Sequence, residues 1–339
     1  MYSSENDYTI LEDKTATGKK RDWKGKKRRT NLMAEHYEAL QSKTGIPYYG
    51  KKAEKLCSCA ECLSFKRDPE TGKLKLYQAQ FCKVRLCPMC AWRRSLKIAY
   101  HNKLIVEEAN RQYGCGWIFL TLTVRNVDGD GLKPMIADMM KGWNRLFGYK
   151  RVKVATLGYF RALEITKNHE EDTYHPHFHV LLPVKKSYFT HNYIKQSEWT
   201  SLWKRAMKLD YTPIVDIRRV KGRAKIDAEQ IESDVREAMM EQKAVLEISK
   251  YPVKDTDVVR GNKVTEDNLN TVFYLDDALA ARRLIGYGGI LKEIHKELNL
   301  GDAEDGDLVK IEEEDDEVAN EAFEVMAYWH PGIKNYIIQ

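Results

Sequence analysis

Apolar and polar positions alternate most regularly in the middle of the chain. Residues 117–124, 159–166 and 177–184 carry apolar side chains at about every second position, which is the period of a β-strand. Residues 211–220 show a fourth such pattern with basic ends. We expect residues 117–124 to lie at the centre of a sheet, and residues 159–166 and 177–184 to pair as antiparallel strands across a short polar loop.

Patterns with the helical period separate and follow these strands. Apolar residues recur there at intervals of three and four positions. The sequence predicts helices over residues 31–43, 91–110, 133–147, 193–208 and 228–250, and a helical block over residues 275–299 that glycines interrupt at 286–289. Helices that flank adjacent antiparallel strands favour an α+β fold.

Two histidines lie on one face of the strand predicted over residues 177–184. A His-x-His pair is more often a satisfied polar pair than a ligand set, but the apolar residues on the other face turn His177 and His179 toward a cleft or solvent. Glu164, in the strand predicted to pair with this one, could reach the same point. Two imidazoles and a carboxylate leave coordination positions open, so they form a candidate site for a divalent cation. His175 shares the parity but precedes a proline, so we place it at the start of the strand and rank it lower.

Six of the seven cysteines are clustered near the N-terminal end of the chain. They are Cys57, Cys59, Cys62, Cys82, Cys87 and Cys90. Pairs of thiolates separated by two intervening residues, brought together across a hairpin, can bind one Zn²⁺, and the spacing suggests Cys59 and Cys62 with Cys87 and Cys90. Six cysteines compete for four places, so the ligand set stays open. Such a closed site is structural, and reduced cytosolic thiols argue against disulfides.

The net charge of +6 conceals a strong asymmetry along the 339 residues. Nine Lys and Arg side chains lie between residues 14 and 29, whereas residues 302–317 are strongly acidic. Without the acidic end, the chain has the basic character of a polyanion binder. The segment up to residue 52 is either an arm that lies along phosphates or a solvated tail. We find no apolar run of membrane-spanning length and no signal peptide, so we expect a cytoplasmic protein without a membrane partner.

A tyrosine and a glutamate share one face at the end of the helix predicted over residues 228–250. Tyr251 precedes a proline and should occupy the fraying end of that helix. Glu247 lies four residues earlier on the same face. Lys250 and Lys254 would favour a phenolate at this position. Taken alone, a glutamate four residues before a tyrosine is common by chance.

Together, these segments resemble the replication initiators of small rolling-circle plasmids from Gram-positive bacteria, a branch of the HUH (His-hydrophobic-His) endonucleases. The resemblance covers nearly the whole chain, from the basic N-terminal segment to the acidic end. Its most specific parts are residues 119–124, 161–166, 177–181, 250–257 and 287–295.

The resemblance implies a central five-stranded antiparallel sheet with flanking helices, in which the two-histidine strand is central. It implies that His177, His179 and Glu164 hold Mg²⁺ or Mn²⁺. It further implies that Tyr251 is the nucleophile and that Glu247 takes part in the terminating cleavage. A small zinc-binding insert is implied near the N-terminus.

The family's cysteine pattern differs from the pairing that spacing suggested. It matches Cys59, Cys82, Cys87 and Cys90, and we favour this set over the spacing-based one. The chain is then expected to divide into four segments: a basic N-terminal arm (1–52), a zinc-binding module (53–95), an HUH endonuclease domain (96–300) and an acidic C-terminal tail (301–339).

The implied activity begins with binding of the double-strand origin of a plasmid. The enzyme nicks one strand by tyrosine transesterification, leaves a 5′-phosphotyrosine and a 3′-OH primer, and later terminates by strand transfer. The implied partners are origin DNA with a hairpin or single-stranded nick site, a superfamily-1 helicase and the host polymerase. Two alternatives remain: a relaxase or single-strand transposase of the same superfamily, and a non-enzymatic zinc protein that only binds DNA.

Several side chains are candidates for contacts with DNA. Phosphates could be positioned by Arg93, Arg94, Arg218 and Arg219. Trp199 or Trp203 could stack on bases. Each of these residues, taken alone, is more often a surface charge or a core aromatic.

Overall fold

The computed structural model describes residues 8–15, 18–220, 258–311 and 323–338. The helices are α1 (Trp23–Thr44), α2 (Pro47–Cys57), α3 (Pro88–Tyr113), α4 (Gly129–Gly148), α5 (Lys150–Ala155), α6 (Gln196–Met207), α7 (Glu266–Leu279) and α8 (Ile290–Glu297). The strands are β1 (Thr9–Ile10), β2 (Cys62–Arg67), β3 (Leu74–Ala79), β4 (Gly116–Thr123), β5 (Gly158–Asn168), β6 (Thr173–Val184), β7 (Val215–Arg219), β8 (Ile285–Gly289), β9 (Phe323–His330) and β10 (Asn335–Ile338). Within these residues, no helix is both long and apolar enough to cross a membrane. The helix predicted over residues 228–250 lies outside the described residues.

The chain folds into two compact units. The first unit comprises Met1–Lys97, Val259–Val272 and Asp305–Gln339, and the second comprises Ile98–Val258 and Phe273–Glu304. The second unit contains an antiparallel five-stranded sheet in the order β7-β4-β6-β5-β8. The expected fold class is therefore confirmed, with the two-histidine strand β6 at the centre. Strand β4, which we expected at the centre, lies beside it.

The fifth strand of this sheet comes from the glycine-rich segment that sequence analysis placed inside a helical block. Strand β8 pairs with β5 and separates α7 from α8. A Cβ atom added at Gly158 would lie 2.5 Å from the carbonyl oxygen of Gly288, and Gly289 adopts a φ of +56°. Glycine is required here because the two backbones approach too closely for a side chain. The interruption in the helical pattern is thus itself a strand.

One face of this sheet forms the core of the second unit. The ring centroid of Phe178 lies 5.7 Å from that of Trp143 on α4 and 6.2 Å from that of Trp203 on α6. Trp199 and Trp203 are fully buried, and the Trp203 indole N–H donates to the carbonyl oxygen of Thr123 at 2.8 Å. The expectation that either tryptophan could stack on DNA bases is therefore wrong, because both rings are needed in the core.

The first unit also contains a five-stranded antiparallel sheet, in the order β1-β10-β9-β2-β3. Strands from the two ends of the chain thus belong to one sheet, since β1 pairs with β10 and β9 pairs with β2. Helix α1 begins eight residues before its predicted start and buries Met33, Tyr37 and Leu40. Asp22 caps this helix by accepting a hydrogen bond from the Gly25 amide at 2.8 Å.

These observations correct the expectation of an N-terminal arm and a C-terminal tail. Residues from both predicted segments pack in the first unit, together with the cysteine-bearing strands and loops. The reason is the buried apolar face of α1 and the backbone pairing of β9 with β2, which the charge pattern along the chain did not reveal.

Removal of the Phe178 ring should destabilise the second unit. In Phe178→Ala we expect the free energy of unfolding to fall by about 3–5 kcal/mol, because the lost ring leaves a cavity between the sheet and two helices. Chemical denaturation followed by tryptophan fluorescence measures this change. The control Val154→Ala removes an apolar side chain that is 61% exposed, and it should change stability by less than about 0.5 kcal/mol. Equal effects of the two substitutions would contradict this packing.

Candidate metal centres

Glu164, His177 and His179 converge on one face of the second unit's sheet. Glu164 lies directly opposite His177 across the β5–β6 pair. The carboxylate Oε2 lies 2.8 Å from His179 Nε2 and 3.6 Å from His177 Nε2. All three side chains are largely buried, and one potential ligand atom from each falls within 4.8 Å of the others. The structure thus brings together the three residues that sequence analysis singled out.

These distances fit a small divalent cation. In an octahedral site with bonds of about 2.1 Å, neighbouring ligand atoms lie about 3 Å apart. The distances from Glu164 Oε2 to His179 Nε2 and His177 Nε2, 2.8 and 3.6 Å, are close to this value. Three protein ligands would leave about three positions for water or substrate. The group could therefore hold a catalytic rather than a purely structural metal ion.

Hydrogen bonds to the far side of each ring orient the two imidazoles. His177 Nδ1 lies 3.1 Å from the carbonyl oxygen of His175, which can only accept, so Nδ1 carries the proton. His179 Nδ1 lies 3.2 Å from the hydroxyl of Thr121. Both contacts leave Nε2 facing Glu164, as a metal ligand requires. Thr121 contacts His179 because the two residues lie opposite each other in the β4–β6 pair. The sequence around Thr121 does not indicate this pairing.

The electrostatics of the group favour an ionised carboxylate. Burial raises the pKa of Glu164, but hydrogen bonds from His177 and His179 together with their charge outweigh it, and the net pKa lies well below the usual range. The carboxylate is therefore ionised at neutral pH, whereas any proton that a histidine Nε2 donates to it must leave before that nitrogen can bind a cation.

His175 does not lie at the start of its strand, as we expected. Strand β6 begins at Thr173, and His175 pairs with Thr166 inside the sheet. Its ring stacks on that of His177, with centroids 5.2 Å apart. His175 is nevertheless outside the group of three that converges on one point. It therefore remains a weaker candidate for a metal ligand than His177 and His179.

A second group of potential ligands lies in the first unit. It consists of Cys59, Cys82, Cys87 and Cys90. Their Sγ atoms are 3.7 Å apart in three of the pairs. A tetrahedral zinc site with Zn–S bonds of about 2.3 Å has edges of about 3.8 Å. The four cysteines could therefore bind zinc. Cys62, which the spacing suggested, is outside the group.

Backbone and side-chain groups support this cluster. Burial raises the pKa of the Cys87 thiol, but hydrogen bonds from the other three thiols and the Cys90 amide lower it overall. The ammonium group of Lys27 is fully buried, and it donates to the carbonyl oxygens of Cys57 and Cys59 at 2.7 and 2.8 Å. A cation at this position offsets the negative charge that four thiolates would bring.

Lys27 is one of the nine basic residues between residues 14 and 29, in the segment that we expected to be either an arm along phosphates or a solvated tail. Its neighbours on α1 at the helical spacing, Trp23 and Thr30, are also buried. This periodicity is the signal that places Lys27 on the packed face of the helix. The hydroxyl of Thr30 lies 3.7 Å from Cys87 Sγ, so the same helix face contacts the cluster twice.

Two of the four predicted phosphate-binding arginines are buried in the first unit. Arg93 donates to the carbonyl oxygens of Leu308 and Val309 at 2.8 and 2.7 Å. Arg94 is fully buried and donates to the carbonyl oxygen of Lys83 at 2.7 Å. The prediction that these two residues bind DNA is wrong, because their guanidinium groups hold neighbouring loops together.

The other two predicted arginines lie on the edge strand β7 of the second unit. The Arg218 side chain is 76% exposed and pairs with Asp216 at 2.7 Å. The Arg219 guanidinium lies 3.9 Å from the centroid of the Phe189 ring. Both residues are exposed, so contact with a phosphate backbone stays a prediction for them.

The remaining predicted site residues, Tyr251 and Glu247, lie outside the described residues. Tyr287 is a second tyrosine in the family-specific segments, and its hydroxyl donates to Asn102 Oδ1 at 2.8 Å. Its ring packs between Phe160 and His295. Burial raises the pKa of this hydroxyl well above its ordinary range, so Tyr287 is a poor source of a phenolate.

Known proteins are similar to this chain over its whole length. The family model described as "Replication protein" matches residues 73–337. A Bacillus amyloliquefaciens protein named "Protein rep" is 87% identical over 339 residues, which cover 100% of both chains. A Streptococcus pneumoniae protein of the same name is 39% identical over 343 residues, which cover 100% of this chain and 98% of the relative. No solved structure matches the chain significantly. The chain therefore belongs to the replication protein family and is a plasmid replication initiator.

Proposed function

We propose that this protein starts rolling-circle replication by nicking one strand of a plasmid origin with a tyrosine nucleophile. The convergence of Glu164, His177 and His179 on adjacent strands carries the proposal, because a three-ligand site leaves room for a scissile phosphate. Family membership supports the biological role. The reaction class is that of a metal-dependent HUH endonuclease and strand transferase.

Tyr251 is the proposed nucleophile. Its phenolic oxygen attacks the scissile phosphorus, the bond from phosphorus to the 3′ oxygen breaks, and the departing 3′ oxygen takes up a proton. The products are a 5′-phosphotyrosine and a free 3′-OH primer, so the phosphodiester energy is retained for later strand transfer. Glu247 is proposed to assist the second cleavage, by activating a water or otherwise, so that DNA is released rather than trapped.

The three ligand residues would hold Mg²⁺ or Mn²⁺, and the bound ion would supply stabilisation of the charge that builds on the phosphate oxygens. The chain's own contribution is preorganisation. His175 and Thr121 fix the ring orientations, and the lowered pKa of Glu164 keeps it ionised. Origin DNA with an unpaired nick site, a superfamily-1 helicase and the host polymerase are the proposed partners.

Covalent adduct formation tests the nucleophile. A labelled single-stranded origin oligonucleotide with Mn²⁺ should give a denaturant-resistant adduct with the wild-type protein. We expect no adduct with Tyr251→Phe, because phenylalanine lacks the attacking oxygen. Tyr193→Phe, which removes a hydroxyl from an exposed tyrosine, is the control and should react normally. A full adduct with Tyr251→Phe would place the nucleophile elsewhere, and no adduct with the wild type would indicate a protein that only binds DNA.

A matched pair of histidine substitutions tests the metal site. We expect His177→Gln to slow adduct formation by about a hundredfold or more, because one metal ligand is lost. His175→Gln changes a neighbour on the same strand face and keeps the carbonyl that orients His177, so its rate should stay close to that of the wild type. Titration with Mn²⁺ should show weakened binding only in His177→Gln. Equal losses in the two variants would contradict a specific ligand role for His177.

We further propose that the ion in the cysteine cluster is a structural Zn²⁺. Dialysis against a mild chelator should leave about one zinc per chain, as measured by elemental analysis. Cys59→Ser should lose this zinc and lower the melting temperature, because metal binding contributes to folding of the first unit. Cys57→Ser is the matched control, since Cys57 is exposed and outside the group of four. Zinc loss in the control, or none in Cys59→Ser, would refute the ligand set.

A further inference from the structure

A polar cavity opens on the side of the second unit's sheet opposite the candidate metal ligands. Arg161 and Glu164 are three residues apart on β5, and the period of two therefore sends them to opposite faces. The cavity has a volume of about 290 Å³ and includes Arg161, Arg282 and Arg283 in its lining. No carboxylate side chain lines it within the described residues. The cavity is therefore positively charged and separate from the site formed by Glu164, His177 and His179.

The Arg161 side chain is buried without the partners that a buried guanidinium normally has. It is only 7% exposed, and its Nε has no hydrogen-bond partner among the described residues. One terminal nitrogen contacts the sulfur of Met140. The guanidinium carbon lies 4.9 Å from the centroid of the Phe178 ring and 5.6 Å from that of Trp143. These contacts stabilise a cation but do not satisfy its N–H donors.

Among the described residues, no carboxylate forms an ion pair with the Arg161 guanidinium. The buried carboxylate of Glu304 attracts Arg161 through its charge, but its oxygens accept from the Leu284 amide at 3.1 and 3.2 Å. Arg283 pairs with Asp302 at 2.6 Å, and Arg282 donates to the Lys133 carbonyl oxygen at 3.3 Å. Among the described residues, oxygen acceptors are thus present for Arg282 and Arg283 but not for the Arg161 guanidinium.

Burial of such a group is costly. Desolvation lowers the pKa of Arg161 to about 10, which is the direction expected when a cation is removed from water. An apolar side chain of similar length would fill this position among Met140, Trp143 and Phe178 at lower cost. An external anion that accepts from the planar guanidinium would offset this cost.

We propose that this cavity binds a phosphate group, anchored by Arg161 and surrounded by the positive charge of Arg282 and Arg283. The volume is near the lower end of cavities for small ligands, about 300–1,000 Å³, so it suits a single nucleotide rather than a peptide. The rings of Trp143 and Tyr159 also line the cavity and offer an aromatic surface beside the phosphate position. The phosphate could come from a free nucleotide or from a DNA strand.

The proposal is tested by calorimetric titration of the full chain with zinc retained and no divalent cation added. The probes are inorganic phosphate, thymidine monophosphate and a single-stranded oligothymidylate at fixed salt. We expect Arg161→Met to weaken binding of at least one probe by about tenfold or more, because charge-assisted hydrogen bonds are lost. Lys141→Gln removes an exposed charge from the same helix as Trp143 but outside the cavity lining, and it should bind like the wild type.

A second variant keeps the charge and narrows the cavity. A Cβ added at Gly286 would lie 3.4 Å from an Arg161 terminal nitrogen, which is an ordinary contact that need not disturb the fold. We expect Gly286→Ala to weaken binding of the same probe. If Arg161→Met fails to fold, the affinity of Gly286→Ala for the probes tests the proposal instead. An affinity equal to that of the wild type would then overturn the proposal.

The pattern across the probes identifies the source of the phosphate. Arg161-dependent binding of phosphate or thymidine monophosphate indicates a free nucleotide, whereas dependence seen only with the oligonucleotide indicates DNA. If all three probes bind Arg161→Met as they bind the wild type, the proposal is overturned. The titrations need no nicking, so their outcome is independent of the adduct assay with Tyr251→Phe.

Discussion

The register between β5 and β6 is the constraint on which the candidate active site depends. Glu164 lies opposite His177, and Ala162 lies opposite His179. A slip of one residue would send Glu164 to the face where Phe178 packs against α4 and α6. Burial of that apolar face therefore selects the register, and the register brings the carboxylate and both imidazoles together. The same strand pairing therefore positions both the apolar core residues and the candidate metal ligands.

Buried cations have different roles in the two units. In the first unit, Lys27, Arg93 and Arg94 donate to backbone carbonyl oxygens, so each charge is compensated by dipoles of the chain itself. In the second unit, Arg161 meets aromatic rings and a sulfur atom. A count of basic residues along the sequence cannot separate these cases. The first group stabilises the fold, whereas Arg161 retains donors for an external anion.

The sequence by itself determined the features that depend on local spacing. The period of two placed His177 and His179 on one face, and the cysteine-rich segment indicated a metal site. Strand periods located four of the five strands of the second unit's sheet, and helical periods located α3, α4 and α6, because a buried face imposes its period on consecutive residues. Together with the resemblance, these patterns were sufficient for the α+β class, the central two-histidine strand and the set Cys59, Cys82, Cys87 and Cys90.

Only the tertiary structure decided what depends on segments distant in sequence. The glycine-rich segment is identified as strand β8 only by its pairing with β5. Its glycines are needed because the two backbones approach closely. Helix α1 and strands β9 and β10 belong to the first unit because they pack and pair with residues far along the chain. Arg93 and Trp203 have sequence contexts that suit exposed DNA contacts, but long-range burial gives them structural roles. Pairing partners and contacts with distant segments are properties of the folded chain, and local periodicity does not identify them.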